Sequence, residues 1–249
     1  YKYFSYLLTK RNKNFIHLFY IKSRLKLIKF FLSLGDFPYF SSYKPYKEKK
    51  IIDLDKRKSL LFNDVNDDKF EKYLRNTLPS LFPYVYIEGF ENLLKAVKKN
   101  YYPSKINKII TSVGIWKDEV FKAWTAEMIQ KGTKLIITQH GGEYGTALFN
   151  FFENHELKVC DKYLSWGWNS YNKKIVKSPC LLLEDKKKSK WQKDGPIMVV
   201  PATLGTYFTQ LNPNHRVADK AEIYFNFIKD VINEVYNKYD NDLIIKIPQ

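Results

Sequence analysis

Between Lys108 and Ser165 short apolar runs alternate with longer stretches of helical period, and this alternation limits the chain more than any other feature. Lys108–Ser112, Lys134–Thr138 and Lys162–Ser165 are too short and too continuously apolar for anything but buried strands. Glu119–Gln130 and Thr146–Leu157 carry apolar residues at helical spacing. Strands that alternate with helices of this length build parallel β-α-β units, so the segment predicts an α/β sheet covered by helices. A further helix is predicted from about Glu88 to Lys99. Lys47–Arg75 is charged and weakly periodic, and Pro79 and Pro83 punctuate the residues just after it.

The polar stretch Glu184–Gly195 separates this unit from a second one. Behind it, Ile197–Val200 reads as a strand, Ala218–Tyr239 as an amphipathic helix and Asp242–Ile247 as another strand. The expected organisation is a basic helical segment over residues 1–46, a first Rossmann-like domain over 47–183, a linker over 184–195, and the start of a second Rossmann-like domain over 196–249. The sequence opens without Met and stops at a strand-like run, which reads as a piece of a longer protein.

Charge matters here through its distribution. The 249 residues hold 42 Lys and Arg against 26 Asp and Glu, a net +16 that favours phosphate-bearing partners. Residues 1–35 hold eight of the cations and no acid. Phe15–Leu34 therefore predicts a helix with Lys stems reaching outward, packed on the rest of the protein. The same residues keep two non-catalytic alternatives open, a basic nucleic-acid-binding module and a peripheral module on an anionic membrane. No RNA-recognition signature or helix-turn-helix pattern is legible, and no nucleic acid is expected. Cations at Lys22, Arg24, Lys26 and Lys29 interrupt Phe15–Leu34, so it is no membrane span. Cys160 and Cys180 lack metal-ligand spacing, which argues against zinc and for two free thiols.

The chemistry is expected in the turn after the second predicted strand. Gln139-His140-Gly141-Gly142-Glu143-Tyr144-Gly145 follows an apolar run and precedes a helix, which places it at the carboxyl edge of a parallel sheet, where open α/β proteins bind ligands. Gly141, Gly142 and Gly145 admit close backbone approach, and the amino terminus of the following helix offers N–H groups to an anion. His140 can serve there as general base or as an imidazolium against phosphate. The glycine spacing matches neither the dinucleotide fingerprint nor the P-loop. Glu88 and Glu153 are the carboxylates expected to orient His140, whereas Glu156 reads as a solvated helix charge. Asp118 and Glu119 should start a helix.

The next predicted strand ends in Ser165-Trp166-Gly167-Trp168, whose indoles can stack on a sugar or pack between layers. In the second unit Thr203, Gly205 and Thr206 follow the first strand and can hold phosphate, and Arg216 can pair with a phosphate or carboxylate.

Gln139-His140-Gly141-Gly142-x-Tyr144-Gly145, then Glu153, then Asp161-Lys162-Tyr163-x-Ser165-Trp166-Gly167-Trp168 resembles a family of transferases assigned to bacterial surface-carbohydrate biosynthesis. That family is distantly similar to the GT-B glycosyltransferases, among them the Kdo transferases and the CDP-glycerol glycerophosphotransferases. The resemblance runs from about Pro79 to the end. It implies a GT-B-like pair of Rossmann-like domains, with Gln139, Tyr144, Trp166 and Trp168 among the substrate-binding residues of the first. The second would hold a nucleotide-sugar donor as co-substrate, with no cofactor or metal required. The acceptor would be a glycan or lipid-linked carrier, and the enzyme would be cytoplasmic or peripheral on the inner membrane face. Relatives of this kind continue through the nucleotide domain, so the piece alone is expected to be inactive.

Overall fold

A computed structural model describes residues 10–21, 23–38, 46–47, 51–60, 68–100, 102–183, 186, 195–201, 221–239 and 243–246. The chain divides into two units, Tyr1–Asp185 and Lys186–Gln249. The predicted linker falls mostly outside the described residues.

The first unit is built on a five-stranded parallel sheet: β1 (Asn14–His17), β2 (Lys108–Thr111), β3 (Lys134–Thr138), β4 (Lys162–Ser165) and β5 (Ile175–Lys177), in that spatial order. Strand order equals chain order, so every connection steps the same way along the sheet, and the larger part of the core lies on one face of it. On that face Phe15, Ile109, Leu135, Ile137, Tyr163 and Ile175 meet α4 (Phe90–Lys99) through Leu93 and Val97, and α6 (Glu119–Gln130) through Val120, Phe121, Trp124 and Met128. The opposite face is covered by α1 (Arg24–Ser33), whose fully buried Phe31 packs on Ile16 and Ile110. The parallel α/β sheet predicted from the alternation is therefore present.

Local chemistry explains the elements. Asp118 caps α6 by accepting from the Phe121 N–H at 2.9 Å, and Gly132 closes its far end at φ 94°, a left-handed value that glycine adopts without strain. Two helices, α2 (Leu54–Lys58) and α3 (Lys69–Leu81), precede α4, and the single turn α5 (Gly114–Lys117) precedes α6.

Several expectations are corrected. Phe15–Leu34 is not one helix: Asn14–His17 pairs with Lys108–Thr111 as the edge strand of the sheet, and the helix starts only at Arg24, capped by Ser23. The strand is braced by Asp36, which accepts from the Lys13 N–H at 2.7 Å and the Asn14 side chain at 2.6 Å. Thus the basic first residues supply sheet and covering helix. Pro79 does not prevent a helix; it lies in the last turn of α3, where the Arg57 guanidinium donates to the carbonyls of Pro79, Ser80 and Phe82 at 3.0 to 3.1 Å and closes the end. The helix predicted from Thr146 is α7 (Phe151–Val159), because Asn150 caps it by accepting from the Glu153 N–H at 3.1 Å.

In the second unit, β6 (Ile197–Val199) and β7 (Leu243–Ile245) pair in parallel on either side of α8 (Ala221–Tyr239) in the chain. This is the β-α-β repeat predicted there. Thr203, Gly205, Thr206 and Arg216 lie outside the described residues. Among the described residues no helix is long and apolar enough to cross a membrane.

Candidate functional site

β3, the middle strand of five, delivers Gln139 and His140 to the carboxyl rim of the sheet, and residues 141–149 then run through a succession of turns before α7 begins. The glycines therefore do not abut a helix amino terminus, and the predicted helix-end anion cradle is corrected. One turn amide is already occupied: the Gly145 N–H donates to Glu153 Oε2 at 2.8 Å. Around Gly142 a side chain would meet nothing within 4 Å, so the backbone there is open.

Gln139 is almost fully buried and its amide is committed within the protein. Its Oε1 accepts from the Trp166 N–H and the Trp168 indole N–H, each at 2.7 Å, and its NH2 donates to the Gly141 carbonyl at 2.6 Å. This side chain clips the turn after β3 to the turn after β4. Gln139, expected among the substrate-binding residues, thus has its oxygen and one N–H engaged within the protein. Trp168 is held too, with its ring against Gly145 and Tyr163, which fits it for packing better than for a free sugar platform. Trp166 stays half-buried at the rim.

The carboxylate on His140 is neither Glu88 nor Glu153. His140 Nε2 lies 2.9 Å from Oε1 of Glu156, a residue with no exposed surface. The same Oε1 accepts from the Trp116 indole N–H at 2.6 Å, and the Tyr144 hydroxyl lies 2.6 Å from His140 Nε2 and 3.5 Å from Glu156 Oε1. Trp116 comes from α5 in the β2–β3 connection, whereas His140, Tyr144 and Glu156 come from the turn and α7 of the β3–β4 connection, so two connections converge on one carboxylate. Glu156 Oε2 and the Tyr163 hydroxyl are buried without a well-formed hydrogen bond. The reading of Glu156 as a solvated charge is overturned. Its spacing offered a signal: Phe152, Glu156 and Cys160 recur at every fourth residue, and the apolar neighbours on that stripe turn inward.

Three phenols sense this charge. Tyr20, Tyr144 and Tyr163 are all raised above the usual tyrosine range, first by burial and next by the Glu156 carboxylate. They remain neutral donors or acceptors. The His140 side chain keeps 17 % of its surface exposed, and among the described residues its Nδ1 has no hydrogen-bond partner in the protein. The imidazole thus has one nitrogen tied to the interior and one edge available at the rim.

Glu88 works elsewhere. It holds Arg57 in a two-pronged ion pair, Nε to Oε1 at 2.6 Å and Nη2 to Oε2 at 2.9 Å, and Arg57 in turn closes α3. The Arg57 guanidinium holds the Glu88 carboxyl down to about 2. Sequence reasoning also missed a second buried imidazole–carboxylate pair, His17 Nε2 to Asp118 Oδ2 at 3.2 Å, beside Phe121. A groove of about 600 Å3 lined by Leu74, Leu78, Phe82 and Ile87 contains no member of the His140 network. Among the described residues no group of three His, Cys, Asp or Glu is placed to hold a metal ion.

Comparison with known proteins adds one match. A family model described as the LIC12162 family transferase matches residues 2–247. No curated protein and no solved structure matches significantly.

Proposed function

The chain belongs to the LIC12162 family of transferases, and from that membership we propose that it moves a glycosyl group from a nucleotide-activated donor to a hydroxyl of a glycan or lipid-linked acceptor. The observation that carries this reading is His140: a partly exposed imidazole at the carboxyl rim of a parallel sheet, backed by a buried carboxylate. Such a pair suits general-base catalysis on a hydroxyl. His140 takes the acceptor proton as the oxygen attacks the anomeric carbon, and the nucleotide departs with the bonding electron pair. Open backbone at Gly142 gives the acceptor room to approach. The donor would be held by the second, GT-B-like unit, with Thr203, Gly205, Thr206 and Arg216 the sequence candidates for its phosphates, and the work would be done in the cytoplasm at the inner membrane face.

The nucleic-acid alternative rested on a basic amino-terminal arm, and that arm supplies β1 and α1. The test has two arms. Titration of the intact protein with a panel of nucleotides should show one clear preference, for instance CMP over UDP. His140→Ala should lower turnover with the matching nucleotide sugar at least ~10-fold while leaving the fold intact. Unchanged turnover removes His140 from the mechanism.

A further inference from the structure

We infer that Glu156 is the positioning residue that keeps the proton of neutral His140 on Nε2 and so makes Nδ1 the nitrogen that meets the acceptor hydroxyl. This rests on the transfer reading above for its catalytic meaning, although the protonation pattern stands on geometry alone.

The donors gathered around Oε1 favour one tautomer. The Trp116 indole nitrogen has a proton and no usable lone pair, so at 2.6 Å Glu156 Oε1 must accept. His140 Nε2 faces that accepting oxygen at 2.9 Å. A bare Nε2 would set lone pair against lone pair inside a buried site, whereas an Nε2–H donates to it. The Tyr144 oxygen, 2.6 Å from Nε2, can share the same proton, and its own O–H points on to Oε1 at 3.5 Å. All three donors then converge on Oε1 and no hydrogen is misplaced. With Nε2 protonated, the lone pair of the neutral ring lies on Nδ1, the nitrogen with no partner among the described residues.

In the transfer step the acceptor O–H bond breaks towards Nδ1, the oxygen forms its bond to the anomeric carbon, and the bond to the departing phosphate breaks with its electrons. The imidazolium produced carries a proton on each nitrogen and faces the Glu156 carboxylate, whose charge stabilises it in a water-poor setting. Neither Glu88 nor Glu153 can take this part, since Arg57 and the Gly145 amide occupy them.

Nitrogen-15 spectra of the labelled intact protein read the tautomer directly, with the His140 signals identified by their absence in His140→Ala. In the wild type the neutral ring should show a bare Nδ1 and a protonated Nε2. Glu156→Leu removes the acceptor facing Nε2 and leaves the Tyr144 O–H, 2.6 Å away, free to donate to it, which should move the proton to Nδ1. It should also lower kcat on the order of 10²-fold with little change in acceptor KM. Glu156→Asp keeps a carboxylate, and should keep the Nε2–H signature and recover part of kcat. A wild-type proton on Nδ1, or a leucine variant with unaltered spectrum or unaltered kcat, overturns the assignment. Should the leucine variant not fold, the wild-type spectrum still decides. Absence of transfer with every nucleotide sugar would defeat the function proposed above and leave the spectra to judge Glu156.

Discussion

Replacing Gly145 by alanine tests how tightly the turn that carries His140 is built. Gly145 has φ 74°, in the left-handed region, where an L-residue costs about 1–2 kcal/mol. A Cβ at this position would also stand 2.6 Å from Trp168 Cδ2 and 2.8 Å from Cε2. That ring cannot swing away freely, because its N–H donates to the buried Gln139 Oε1. Relief of such overlap costs about 1–3 kcal/mol more. The sum is roughly 2–5 kcal/mol, and at a urea slope near ~3 kcal/mol per M the midpoint should fall by ~1 M. Tryptophan fluorescence follows the relevant unit, since Trp116, Trp124, Trp166 and Trp168 all lie in it. Gly142→Ala is the control: nothing lies within 4 Å of the added carbon, and its cost should stay within ~0.5 kcal/mol. A Trp168→Leu background should remove the steric part and leave the backbone part, giving a coupling of ~1–3 kcal/mol. Equal midpoints for the Gly145 and Gly142 variants would refute the reasoning.

Ionisation supplies two more expected outcomes. Glu88 is held at about 2 against an ordinary 4.5, so the folded state binds fewer protons than the unfolded one between those values, and its contribution to stability is lost as pH falls through that window. Glu88→Gln should flatten the loss of the denaturation midpoint from pH 5 to pH 3; the same pH slope in both proteins would deny the Arg57 pairing. Burial pushes the Cys160 thiol up to about 11, so iodoacetamide at pH 8 should label half-buried Cys180 well before Cys160, as peptide mass spectrometry would show. Preferential labelling of Cys160 would contradict its burial.

Elements set by strong local signals were legible in the sequence. α6 begins and ends where Asp118 and Gly132 place it, and β3 and β4 match their apolar runs. β1 was not legible, because its identity as a strand depends on a partner that lies far along the chain, at Lys108–Thr111, and no local pattern encodes that pairing. α3 was obscured by Pro79, whose tolerance depends on Arg57 reaching the helix end. At the site, His140 and its glycines stood out by residue type. Glu156 did not, because a carboxylate on a helix is usually wet, and only the indole from the preceding connection and the imidazole from the turn before α7 make its burial tolerable. Gln139 carries the opposite ambiguity, since a polar residue at a rim can brace two turns as readily as it can meet a ligand.

The pairing of β1 with β2 also orders the events of biosynthesis. As the chain leaves the ribosome, Asn14–His17 emerges early but has no sheet to join until Lys108–Thr111 follows it out, and Phe15 and Ile16 stay uncovered in the interval. Loop closure of that span is slow compared with local helix formation. Removing Asn14–His17 to improve solubility would be self-defeating: it would strip the sheet of its outer member and leave the backbone of Lys108–Thr111 as a new, unguarded margin for other chains to add to.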